Sequence, residues 1–266
     1  MRSEPHHPTA PFGTILSVWA HPDDETYLAA GLMAAARDSG QRVMCASATA
    51  GEHGTDDPAT YPPSRLDRMR RWEFAASMAV LGVDEHVVGR LPDGDLAAHE
   101  GDGTRWVAEL IEQVRPDTIV TFGPDGITYH PDHIAVHRWV TSAWRSMGCS
   151  ARLLYATNTT DRLRRFGPFY EEWGIYMSDD RPDGVAPADL ALHLSLEGWQ
   201  LDRKLTALRA MATQTGRPMA SIDPGLYAAE ASEEAFIEAA TTGEGRGSAT
   251  ARDDGADPLD RRLEHI

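Results

Sequence analysis

The sequence is short of cysteine, short of positive charge and free of long apolar runs, and each shortage narrows what the chain can be. Two cysteines in 266 residues, Cys45 and Cys149, cannot build a disulfide framework. Cys45 falls in an apolar stretch, the ordinary place for a reduced and inert thiol. Lys and Arg number 25 against 41 Asp and Glu, a formal net charge of -16. Binding phosphate backbones needs clustered Lys and Arg, so nucleic acid is not an expected partner. Part of the acidity sits at the end, where residues 229–266 hold ten Asp or Glu and four Arg. No run of about 18 apolar residues exists, so no helical membrane span is expected. The first twelve residues, MRSEPHHPTAPF, lack the apolar centre of a secretory signal. A cytoplasmic location is the simple expectation. His6-His7 in this polar arm reads as a surface pair rather than a ligand pair.

What is present is an alternation of strand-like and helix-like segments. Strands are expected at 14–20, 41–48, 85–89, 117–122 and 152–157, and helices at 25–38, 65–81, 103–114 and 132–147. A polar, Gly/Pro-rich loop covers about 50–64. This β-α-β-α order predicts an α/β fold, a Rossmann-like, doubly wound and mostly parallel sheet with helices on both faces. Right-handed crossovers gather the loops leaving the strand C-termini at one edge, where function is expected. Past residue 160 the pattern loosens into an irregular C-terminal extension, with a strand at 190–196 and a helix at 197–213. The boundaries read as a flexible arm at 1–12, one domain at 13–240 and a mobile polar tail at 241–266.

The first strand ends directly in Ala20-His21-Pro22-Asp23-Asp24-Glu25. A dinucleotide fold carries glycines in this turn so that a phosphate can approach the backbone. Here one imidazole and three carboxylates stand instead, which repel a phosphate and suit a divalent cation. A second cluster, Gly123 to His133, follows the fourth strand and ends in His130-Pro131-Asp132-His133. Two His-Pro-Asp turns at the same sheet edge form the main signal. His and Asp are good zinc ligands, and an open catalytic site keeps three protein ligands plus water. Asp23 and Asp24 are neighbours whose side chains diverge, so one can bind metal while the other faces the water. His130 and His133 are three apart across a helix start, so one can bind metal while the other faces a substrate carbonyl.

The turn at 20–25, Thr49-x-Gly51-Glu52, Arg70-x-x-Glu73 before Leu81-Gly82, and the HPDH at 130–133 together resemble the LmbE-like / PIG-L family of zinc-dependent N-acetylglucosaminyl deacetylases. The resemblance covers roughly 14–215, with a weak match at Lys204 and Gln214. It implies metal ligands His21, Asp24 and His133, with one zinc per chain. It implies Asp23 as general base, His130 as oxyanion donor and Asp132 as the residue orienting that imidazole. Arg70, Asp93 and Glu52 are implied near the substrate, a small N-acyl amino sugar or glycoconjugate. Some relatives carry tyrosine two residues before the first His of HPDH; here Thr128 holds that place and Tyr129 is adjacent.

Plainer readings compete with each of these. The 23–25 carboxylates could simply complement a helix dipole. His137, one turn after His133, is a rival ligand read as structural. Glu52 could merely close its loop, and His53 reads as solvated. Arg70 or Arg71 could pair with Asp67 or Glu73 on a helix surface. Trp72, Trp139, Trp144 and Trp199 read as packing residues, and His86, His99 and His193 as structural. A phosphoester or other hydrolase, or a non-catalytic sugar-binding protein, are the alternative functions. The segments 50–64, 89–102 and 158–190 are expected to set specificity.

Overall fold

In a computed structural model, residues 12–241 are described, and the expected mobile arm and tail, with His6 and His7, fall almost wholly outside them. Phe12, counted with the arm, is buried in the core, and its carbonyl accepts from Thr118 Oγ1 at 2.7 Å. Five parallel strands, β1 (Ile15–Trp19), β2 (Val43–Ser47), β3 (Glu85–Val88), β4 (Thr118–Phe122) and β5 (Arg152–Thr157), form the centre of the sheet. Every residue of β1, β2 and β4 is buried, as expected of strands covered on both faces. Between them run α1 (Asp24–Asp38), α2 (Pro63–Leu81), α3 (Glu100–Val114) and α4 (Pro131–Ser146).

The helix ends follow local chemistry. Pro63 opens α2, and Gly82, at φ 74°, closes it with its amide on Ala79. Helix α3 lies close on α4 because Gly103 presents no side chain to the Trp139 ring; a Cβ there would come within 2.2 Å of it. Trp139 and Trp144 are buried, as expected of packing residues, whereas Trp72 and Trp199 are largely exposed.

The stretch past β5 is more regular than its composition suggests. Thr159 caps α5 (Thr160–Trp173), accepting from the Arg162 amide, although Gly167 and Pro168 read as breakers. The expected strand at 190–196 is β6 (Leu192–Ser195), and the expected helix at 197–213 is α6 (Trp199–Arg209). That helix stops short, and α7 (Ala212–Ser221) and α8 (Pro224–Ala231) follow. The last strand, β7 (Glu233–Glu238), inserts antiparallel between β5 and β6, giving the order β3-β2-β1-β4-β5-β7-β6. Its Glu234 is fully buried: it takes Lys204 Nζ at 2.8 Å and the Gly31 and Leu32 amides at 2.8 and 3.0 Å. Lys204 also donates to the Tyr27 carbonyl at 2.6 Å, so one ion pair ties β7, α6 and α1 together. Among the described residues no helix is long and apolar enough to cross a membrane.

The strand order reverses between β1 and β4, which lie side by side in the sheet centre. In an open α/β sheet such a switch point leaves a crevice at the strand C-termini. Both His-Pro-Asp turns leave the sheet there.

Candidate metal centre

The β1–α1 turn is held in an unusual backbone. Asp23 sits at φ 133°, a region that side chains other than glycine rarely adopt. The buried Glu25 accepts from the Asp23 amide at 3.1 Å, and burial pushes the Glu25 carboxyl up to about 8. Asp23 occupies the N-cap of α1 yet makes no capping bond with its side chain. This carboxylate lies instead 3.4 Å from the Arg70 guanidinium. Asp24 turns the opposite way, accepting from the His21 amide at 2.8 Å.

The HPDH segment starts α4. His130 is the N-cap, its Nδ1 accepting from the Asp132 amide at 3.1 Å; Pro131 is the first helical residue. The preceding loop puts Ile127 and Tyr129 at φ 67° and 59°, which brings the Gly126 carbonyl to 2.9 Å from His133 Nδ1. The His133 ring stacks on Phe122 at 4.2 Å.

These bonds settle which nitrogen of each ring is bare. A carbonyl only accepts, so His133 Nδ1 carries the proton and Nε2 is an open lone pair. His21 Nε2 lies 3.2 Å from Asp132 and 3.1 Å from Asp93, so one proton faces those carboxylates and Nδ1 is the nitrogen that opens to an ion when its own proton leaves. This His21 Nδ1 is 3.3 Å from the open His133 Nε2, and Asp24 oxygens lie 3.6 and 3.2 Å from the two. Three donors thus converge, and they form one of the two clusters of suitable geometry among the described residues. In the other, His21, His130 and Asp132, His21 Nε2 and Asp132 Oδ2 face each other and His130 Nδ1 accepts from the Asp132 amide. The donor set fits a divalent ion such as zinc, and carboxylates behind a ligating imidazole are the usual support for one. Burial disfavours charge on His21, but Asp132, Asp93 and Asp24 together push the imidazole up to about 10. An ion arriving there displaces a proton. Burial with its charged neighbours pushes His130 down to about 4 and His133 to about 3, so both rings are neutral.

Several residues stand elsewhere than expected. Asp132 does not face His130 with its carboxylate; Oδ2 takes His21 Nε2 and the Gly94 amide, and Oδ1 takes the Leu96 amide at 3.0 Å. Only its backbone amide reaches His130. Asp93 likewise stands at His21 Nε2, 3.1 Å away. The amide of His53, whose ring is exposed, donates to Asp93 at 2.7 Å. Arg70, expected at the substrate, is buried: its guanidinium donates to the Gly51 and Pro22 carbonyls at 2.7 and 2.6 Å and lies 3.4 Å from Asp23. It clamps the turn that carries Asp23. Gly51 is required beside it, since a Cβ would come within 1.9 Å of the guanidinium. Arg71, not Arg70, makes the surface pair with Asp67. Glu73 instead holds Thr213 at the start of α7. Glu52 lines a separate open groove with Asp67 and Arg71. His137 Nδ1 donates to the Phe122 carbonyl of β4 at 2.9 Å, and the residue joins neither cluster. Both cysteines are free, Cys45 buried with its thiol pushed well up by burial.

With the geometry in place, the chain can be compared with known proteins. The family model for GlcNAc-PI de-N-acetylase (PIG-L) matches residues 16–144, which hold both His-Pro-Asp turns. A 1D-myo-inositol 2-acetamido-2-deoxy-alpha-D-glucopyranoside deacetylase of Mycolicibacterium vanbaalenii is 32% identical over 232 residues, 75% of this chain and 80% of that protein. The chain belongs to the PIG-L family. Among solved structures, the N,N'-diacetylchitobiose deacetylase of Pyrococcus horikoshii superposes with a TM-score of 0.59 at 20% identity, covering 86% of this chain and 85% of that one. So does a 4-carboxy-2-hydroxymuconate hydratase from Pseudomonas putida KT2440, TM-score 0.59 at 16% identity, over 89% and 100% of the two chains. The PIG-L fold therefore does not by itself fix the reaction, which has to be argued from the site.

Proposed function

We propose that this PIG-L protein hydrolyses the N-acyl amide of an amino sugar or small amino-sugar conjugate, with one zinc ion held by His21, Asp24 and His133. The observation that carries the reading is the convergence of two imidazole nitrogens and the Asp24 carboxylate beside a carboxylate, Asp23, that no helix cap consumes. The match to the M. vanbaalenii deacetylase, whose named substrate is an N-acetylated glucosaminyl inositol, supports the substrate class. When bound, the ion supplies a Lewis acid for the amide carbonyl and lowers the pKa of a water toward about 7. Asp23, held by Arg70, takes a proton from the attacking water and returns it to the leaving nitrogen. His130 accepts at Nδ1, so its proton is on Nε2, where it donates to the oxygen that gains charge as the carbonyl is attacked. Water and amide give a carboxylic acid and a free amine.

The test is metal removal. Purified protein is stripped with a chelator, reloaded with zinc, and assayed for amine and acetate release from N-acetylglucosaminyl conjugates, with phosphate measured alongside. Amine release should vanish on stripping and return with zinc. Amine release indifferent to chelation, or phosphate in place of acetate, overturns the reading.

A further inference from the structure

A cavity of about 320 Å³ opens from the Asp24 and His133 side of the metal centre. Its remaining walls belong largely to the chain past β5, outside the parallel part of the sheet. Leu28, Trp173, Ile175, Tyr176 and Ile222 make it predominantly apolar. Several polar groups around it are already spent on one another. Tyr27 and Tyr227 share a hydrogen bond of 2.8 Å, and Arg162 is bonded to Tyr170, Glu230 and the Glu233 carbonyl. A polyol placed here would leave its hydroxyls without partners, at a cost that an apolar group does not incur. Asn158, just past the C-terminal end of β5, is not among them. It lines the cavity, is 7% exposed, and its amide has no partner among the described residues.

We propose that this cavity takes an apolar substituent carried by the amino-sugar substrate, with Asn158 as the polar contact that sets its position. The inference rests on the deacylase reading above and adds to it a substrate preference that a sugar–inositol conjugate does not meet. The substituent is either the aglycone or an acyl chain longer than acetyl. The zinc-loaded protein is assayed for amine release from three glucosaminides: N-acetyl with an inositol aglycone, N-acetyl with a phenyl aglycone, and N-hexanoyl with a methyl aglycone. One of the last two should exceed the inositol compound at least tenfold in kcat/KM, the better one naming the source of the substituent. Ile222→Trp, which fills the cavity, should cut that ratio to below threefold, and Asn158→Ala should lower kcat/KM for the favoured compound. Calorimetry with phenyl glucosaminide, an amine product, gives a reading independent of turnover. Where the phenyl compound is the favoured one, its product should bind at least tenfold tighter than the inositol product, with a negative heat-capacity change from apolar burial. Amine release at equal kcat/KM from all three compounds, or a favoured phenyl compound whose amine product binds no tighter than the inositol product, overturns the proposal and leaves the deacylase reading standing. No amine from any of them overturns both.

Discussion

Removing the Asp132 carboxylate separates two accounts of this site. Asp132 is fully buried and saturated: Oδ2 serves His21 Nε2 at 3.2 Å and the Gly94 amide at 2.8 Å, and Oδ1 serves the Leu96 amide at 3.0 Å. In Asp132→Ala the His21 ring loses one of the two carboxylates that hold its proton away from the metal position, and Asp93 at 3.1 Å remains. Loss of such a supporting group weakens metal binding by about 10- to 100-fold, or about 1.4 to 2.7 kcal/mol. The surviving Asp93 places the expectation near the lower end, and Asp93→Ala with Asp132→Ala should exceed the sum of the two single effects because both act on one ring. Asp132→Asn is no cure, since its single oxygen cannot replace both carboxylate oxygens and its amide would oppose either the Leu96 or the Gly94 donor. The assay is zinc affinity by chelator competition, with kcat measured separately at saturating zinc and the melting temperature followed as a control for the stranded amides. The reasoning is refuted if zinc affinity stays within twofold of wild type while kcat collapses at saturating zinc. That outcome would mean Asp132 acts through His130.

Asp23→Asn should keep zinc stoichiometry and lose turnover by about 10²- to 10⁴-fold, the usual contribution of a general base; unaltered amine release at full metal loading would contradict its role. Arg70→Met removes the clamp on the Pro22 and Gly51 carbonyls, so kcat should fall about 100-fold through misplacement of Asp23 with KM changed less than threefold. A large rise in KM with kcat preserved would instead make Arg70 a substrate contact. Lys204→Met strands the buried Glu234 and should cost about 3–5 kcal/mol, seen as a melting temperature lower by about 6–20 °C for a domain of this size. Adding Glu234→Leu should recover much of that loss; a double variant less stable than the single one would refute the stranded-charge account.

The parallel part of the sheet was legible because β1 and β4 are largely apolar runs and its helices carry clear punctuation, such as Pro63 and Gly82 around α2. Strand β7 was not, because Glu233, Glu234 and Glu238 read as surface charge. Glu234 is tolerable inside only because the chain's single lysine, Lys204, arrives from α6 together with two amides of α1. Helix α5 was hidden behind Gly167 and Pro168, although Thr159 was available as a capping signal.

The same division runs through the metal centre. By itself the sequence determined the donor chemistry, His and Asp in two turns after strands one and four, since residue type and turn signals are local properties. The separate duties of Asp132, Asp93 and Arg70 were decided by the tertiary structure. Their partners lie far along the chain, Asp132 being 111 positions from His21 and Arg70 being 48 from Pro22. Which nitrogen of an imidazole is open depends on what the other one touches. That contact exists only once β1 and β4 lie side by side.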